Sequence, residues 1–181
     1  RDELIPRADK LVDGLDCLIN NASYYRRSYL SDVEEEDLWQ DYNINFVAPF
    51  MLMRNFRKSV ASGSIINLLD QRVEGVDSAA GTYGCAKKSL RDVTEGCAVE
   101  WAPEIRVNGV APGVVLPPPN VAQEKMKELL KNIPMLQNSS PREIAQACSF
   151  LTRSETITGE VLYVDGGLHL TGSNLSEKPP G

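Results

Sequence analysis

Four stretches of the chain are near-continuous apolar runs closed by small or polar residues: LDCLINNAS (15 to 23), SIINLLD (64 to 70), IRVNGVAP (105 to 112) and GEVLYVDGG (159 to 167). Runs of this length without strict alternation predict strands buried on both faces, as in a parallel sheet covered by helices. Between them the apolar spacing becomes helical. Residues 35 to 58 carry Leu38, Tyr42, Phe46, Phe50 and Met53 at helical intervals. Pro49 is expected to kink that helix, because it lacks an N–H and its ring crowds the preceding turn. Residues 80 to 101 place Leu90, Val93, Cys97 and Trp101 on one stripe and leave Arg91, Asp92, Glu95 and Glu100 outside it. Ser140, Pro141 and Glu143 form a capping signature ahead of Ile144, Cys148 and Leu151, which predicts another core-facing helix. GVVLPPPNVAQEKMKELLKN reads as a proline-bearing loop followed by a short amphipathic helix. The alternation predicts one α/β domain over residues 1–171, with residues 172–181 as a disordered tail.

Composition narrows the function classes. A chain of 181 residues, 42% hydrophobic, supports one core. A net charge of -6 argues against a nucleic-acid partner or an anionic membrane surface. No apolar run approaches the ~20 residues that span a bilayer. Cys17, Cys85, Cys97 and Cys148 lie far apart in apolar surroundings, so buried, reduced thiols and a cytoplasmic setting are expected. His169 is the only histidine and has no co-ligand at a metal-binding spacing, so no metal is expected. The chain opens with Arg1 in a helix-like segment without signal-peptide features, and the expectation is a fragment of a longer protein.

The candidate chemistry lies in LLDQRVEGVDSAAGTYGCAKKSL, residues 68 to 90, where Tyr83 precedes Lys87 by four residues and follows Asp70 by thirteen. At i and i+4 the two side chains share a helix face, and a nearby ammonium would lower the phenol pKa. With six tyrosines and nineteen basic residues, such a pair arises easily by chance. Its surroundings raise its weight. Asn20 and Asn21, Asp70, and Pro112 with Gly113 all end predicted strands, so they converge on the edge of a parallel sheet where open α/β folds bind ligands. The blander readings are a side-chain-bonded turn for NNAS, an ordinary loop for APG and a capping aspartate for Asp70.

Together, NNAS, NINFVAPF, YGCAK, RVNGVAPG and ITGEVLYVDGG resemble the short-chain dehydrogenase/reductase family, in its order and over nearly the whole chain. The resemblance implies a Rossmann-type doubly wound parallel sheet and a nicotinamide cofactor. It implies Tyr83 as general acid, Lys87 lowering its pKa and holding ribose hydroxyls, and Asn45 positioning a water in a proton relay. Asn21, Ala22, Ser23, Pro112, Gly113 and Val114 are implied at the cofactor. A homotetramer is the family's common assembly.

Two departures inform the reading. Where the family usually has serine, this chain has Asp70, an acceptor when ionised and ill suited to a developing alkoxide. That aspartate, NNASYY, RVEG and DGGLHLTG resemble the pteridine reductase and dihydromonapterin reductase branch. There Ser23 would touch cofactor and pterin, Tyr25 would stack on the pterin, and Asp70 with Tyr83 would serve proton delivery to a C=N nitrogen. NADPH is the implied cofactor, and a pterin the implied substrate. A reductase of another carbonyl, or a non-catalytic remnant, remains open. The second departure is that the family's strand–TGxxxGxG–helix phosphate loop and its first strands are missing from the sequence.

Overall fold

The computed structural model describes residues 3–12, 14–116 and 128–171. Its helices are α1 (Leu4–Val12), α2 (Glu35–Tyr42), α3 (Ala48–Ser59), α4 (Gly81–Glu100) and α5 (Pro141–Arg153). Its strands are β1 (Cys17–Asn20), β2 (Gly63–Leu68), β3 (Ile105–Pro112) and β4 (Val161–Val164). They form one sheet in the order β1-β2-β3-β4, every pair parallel. The four predicted strands are therefore present, and the doubly wound α/β class holds.

Burial on both faces follows from the apolar runs. One face of the sheet, through Ile65, Ile105, Val107 and Ala111, meets Met53 and Phe56 of α3 and Leu90, Cys97 and Ala98 of α4. The other, through Ile66, Leu68 and Val110, meets Ala147, Cys148 and Leu151 of α5. Ser140 caps α5 as its sequence predicts: its Oγ accepts the Glu143 N–H at 3.2 Å, and its own N–H donates to Glu143 Oε2 at 2.7 Å. β1 is an edge strand among the described residues, and Ile19, on its face that opens to the cleft, is 48% exposed.

Polar groups also hold the layers together. Asn20 Nδ2 donates to Asn67 Oδ1 at 2.8 Å, and Asn67 Nδ2 donates to Thr94 Oγ1 at 2.9 Å, joining β1, β2 and α4 within the core. Leaving one such buried group unpaired costs about 1–3 kcal/mol, so these residues act as a unit.

The segment from 35 to 59 departs from its expected form. A π turn (Asn43–Val47) separates α2 from α3, so the irregularity falls just before Pro49. Proline has no N–H for the carbonyl four residues back, and a wide turn accommodates the misfit. The buried face is also rotated: Asp41, Asn45, Pro49, Met53 and Phe56 are buried, while Tyr42, Phe46 and Phe50 are half-buried beside them. Apolar spacing found Met53 and the core contacts of Phe46 and Phe50, and missed Asp41 and Asn45, which are buried, polar and internally bonded. Most of the segment expected as a loop and amphipathic helix, and all of the expected tail, lie outside the described residues.

Candidate active site

The carboxyl ends of β1, β2 and β3 open onto a cleft of about 890 Å³, whose wall includes Asn21, Ser23, Asp70, Tyr83, Lys87, Pro112 and Gly113. Ala22, Tyr25, Asn45 and Val114 do not line it. The cleft continues along the uncovered side of β1 at Cys17 and Ile19 to Ile144 and Cys148 of α5.

Asp70 follows β2 and caps a short 3-10 turn (Gln71–Val73), its Oδ1 accepting the Arg72 backbone N–H at 2.9 Å. The capping role expected of an ordinary loop aspartate is thus real, and the other oxygen is shared by Tyr83 and Arg72. Asp70 Oδ2 accepts the Tyr83 hydroxyl at 2.9 Å. Gly81 starts α4 with φ +50, and a Cβ there would lie 2.2 Å from Ser28 Oγ, so only glycine lets the loop around residues 23 to 29 approach this turn.

The electrostatics reverse one expectation. Burial, then the Asp70 charge and its hydrogen bond, push the Tyr83 phenol well above its ordinary value. Lys87 does not lower it: the ammonium lies 5.9 Å from the ring centroid and donates to the Leu68 carbonyl at 2.7 Å. Lys87 itself is lowered to about 8, because burial outweighs the attraction of Asp70. Without a ligand, Tyr83 is therefore held as the protonated phenol, a weaker acid than a free tyrosine.

A lysine lowered from 10.5 to about 8 makes the folded state bind fewer protons than the unfolded chain between those values, so this group makes stability rise with pH across that window. At pH 7 its burial costs on the order of 3 kcal/mol. Lys87→Met is expected to raise the urea midpoint at pH 7 and to lose most of that advantage by pH 10. An equal advantage at both values would mean that packing, not charge, is responsible.

Asn45 sits in the π turn, fully buried, and its side chain is completely engaged. Oδ1 accepts Ser23 Oγ at 2.7 Å and the Tyr24 N–H at 3.2 Å, while Nδ2 donates to the Tyr24 carbonyl at 2.9 Å and the Asp41 carbonyl at 3.0 Å. The amide thus pins the loop that follows β1 and has no place left for a relay water. Tyr25, next on that loop and 44% exposed, meets Tyr83 edge-on with centroids 4.8 Å apart.

Arg72 was not among the residues that spacing singles out. Its Nη1 lies 3.0 Å from Asp70 Oδ2, its Nε donates to Asp77 Oδ2 at 2.7 Å, and its Cζ stands 5.2 Å from the Tyr25 centroid. An arginine two residues after the aspartate was the available signal, but not which acid it would choose. Cysteine behaved unevenly: Cys97 and Cys148 are buried, Cys17 is half-buried, and Cys85 is exposed on the outer side of α4, against the expectation of burial. The lone histidine, His169, has Nδ1 2.8 Å from Asp165 Oδ2.

A profile of the family described as Enoyl-(Acyl carrier protein) reductase matches residues 1–169. The chain is 30% identical to 2-dehydro-3-deoxy-D-gluconate 5-dehydrogenase of Formosa agariphila, covering 92% of this chain and 67% of that protein. It is 33% identical to a 3-oxoacyl-acyl-carrier-protein reductase of Thermotoga maritima, over 93% of this chain and 73% of the relative. Among solved structures it superimposes on FolM Alternative dihydrofolate reductase 1 from Brucella canis complexed with NADP, at a TM-score of 0.87 and 26% identity, covering 92% of this chain and 68% of that one. With the Tyr83–Lys87 pair at its sheet edge, the chain belongs to the short-chain dehydrogenase/reductase family of oxidoreductases. It spans about two thirds of the Formosa relative's length.

Proposed function

We propose that this chain serves NADPH-dependent reduction of a pterin C=N bond, with Tyr83 as the proton donor. The observation that carries the reading is the Asp70 carboxylate, which accepts the Tyr83 hydroxyl and is ion-paired to Arg72. So held, it can only accept hydrogen bonds. A carbonyl substrate would develop negative oxygen against this charge. A pterin instead offers N–H groups to Asp70 and a basic ring nitrogen to the Tyr83 proton.

The cofactor fits the nicotinamide end of the cleft. Lys87 uses one N–H on Leu68, which leaves its other donors without a protein acceptor among the described residues. Those donors would hold ribose hydroxyls, and Asn21, Ser23 and Pro112 would flank the ring. NADPH, when bound, supplies the hydride. Asn45 would act by fixing Ser23 and Tyr24. Gly113 is needed chiefly by its neighbour: a Cβ there would stand 2.7 Å from Asp165 Cβ. The structural likeness to a dihydrofolate reductase complexed with NADP supports both substrate class and cofactor.

The names of the curated relatives favour a second reading, reduction of a sugar or oxoacyl carbonyl. The two separate by assay of NADPH oxidation with a dihydropterin and with an oxoacyl thioester. The assay is run on this chain and on the chain preceded by a strand–TGxxxGxG–helix segment, because the sequence contains no such phosphate loop. Pterin turnover in either form supports the proposal, and thioester turnover alone contradicts it. A cytoplasmic setting and a homo-oligomer belong to the same reading. Among the described residues, no helix is long and apolar enough to cross a membrane.

A further inference from the structure

The Arg72 side chain belongs to a closed ring of contacts around the reacting groups. From Arg72 the ring passes to Asp77, whose second oxygen accepts the Ala79 N–H at 3.0 Å. The Ala79 carbonyl accepts the Ser28 N–H at 3.2 Å, tying that turn to the loop that carries Tyr25. Tyr25 returns to Arg72 through its ring face, 5.2 Å from Cζ. The guanidinium is thereby referenced to a turn outside the cleft and touches both the acid partner and the aromatic beside it.

The occupancy of Asp70 adds a second constraint. Oδ1 takes the Arg72 backbone N–H at 2.9 Å and Nη1 at 3.2 Å, and Oδ2 takes Tyr83 at 2.9 Å and Nη1 at 3.0 Å. An ionised carboxylate offers about four acceptor positions, so none remains for a ligand. To receive a substrate N–H, Asp70 must release one partner. The backbone N–H cannot leave, and the guanidinium is anchored on Asp77. Only the Tyr83 hydroxyl can turn away, and it then points its proton into the cleft.

We propose that Arg72 is a positioning residue that fixes the Asp70 carboxylate and the Tyr25 ring as one unit, selecting a flat heterocycle with an N–H edge of the aminopyrimidine kind, whose arrival exchanges with Tyr83 on Asp70. This rests on the pterin reading and names the edge of the pterin that Asp70 meets. Arg72 acts through its two partners and does not itself contact the ligand. A lysine could not replace it, since a point charge cannot span two carboxylates while lying flat on a ring.

The test is a double-mutant cycle of Arg72→Met and Asp70→Asn, with Arg72→Lys beside it. Pterin affinity is read by quenching of pterin fluorescence, and the urea midpoint is read on the same proteins without ligand. Each single change is expected to weaken pterin binding about tenfold, and the double change to weaken it hardly further, because both remove the same unit. Arg72→Lys recovers less than half of the loss on a logarithmic scale. Unchanged binding in Arg72→Met, or an additive hundredfold loss in the double variant, overturns the inference. If the parent protein binds no pterin, the functional reading falls. The ligand-free midpoints then decide on Arg72: non-additive losses keep its positioning role, and additive ones remove it.

Discussion

Tyr83→Phe is expected to lower NADPH-dependent turnover about 10³-fold while changing pterin affinity by less than threefold. The Tyr83 hydroxyl lies on the cleft wall with its oxygen 2.9 Å from Asp70 Oδ2, and it is the proton donor of the proposed step. Positioned general acids typically contribute 10²–10⁴-fold, and removing the hydroxyl removes that contribution whole. Folding should be almost untouched, because Asp70 keeps Arg72 and the backbone N–H as partners. Steady-state oxidation of NADPH with a dihydropterin gives the rate, and the thermal midpoint controls for folding. A loss of less than tenfold would take proton delivery away from Tyr83.

Asp70→Ser should exchange one substrate preference for another. The carboxylate accepts from Tyr83 and holds Arg72, so its removal takes away the acceptor that an N–H substrate uses. A serine hydroxyl can donate, which is what a carbonyl oxygen gaining negative charge requires. Pterin kcat/KM is expected to fall about 100-fold and turnover of an oxoacyl thioester to rise at least tenfold; two such factors correspond to roughly 4 kcal/mol of changed discrimination. The substitution also leaves Arg72 with Asp77 as its remaining carboxylate, so some loss of stability accompanies it. Asp70→Asn keeps the cap and the shape while removing the charge, and it separates the two effects. A variant that gains on pterin and loses on the thioester would reverse the assignment of Asp70.

The parts of this protein that were legible in its sequence share a physical cause. IRVNGVAP and SIINLLD announce buried parallel strands because burial on both faces demands continuous apolar runs. Ser140 and Glu143 announce a helix start because the cap is a local hydrogen-bond pattern. Tyr83, Lys87 and Asp70 could be placed at one edge because strand ends in a parallel sheet converge there. What stayed hidden depends on partners distant in sequence or on choices between equals. Asp41 and Asn45 look like the exposed side of a helix until Thr82 and Tyr24 are seen to satisfy them. Arg72 could have paired with Asp70, Glu74 or Asp77, and only the fold shows that it takes the first and third. The direction of the Tyr83 shift was misread for a related reason. Spacing gives the nearness of Lys87, but burial and a carboxylate at 2.9 Å outweigh a lysine that has turned to the Leu68 carbonyl.

The central claim is that this site reduces a pterin rather than a carbonyl compound, and competition between substrates tests it most directly. The chain preceded by a strand–TGxxxGxG–helix segment is given NADPH, a dihydropterin and an oxoacyl thioester at equal concentration, and both products are quantified in the same vessel. The account predicts at least a 100-fold excess of reduced pterin, abolished by Tyr83→Phe. An excess of reduced thioester would contradict it.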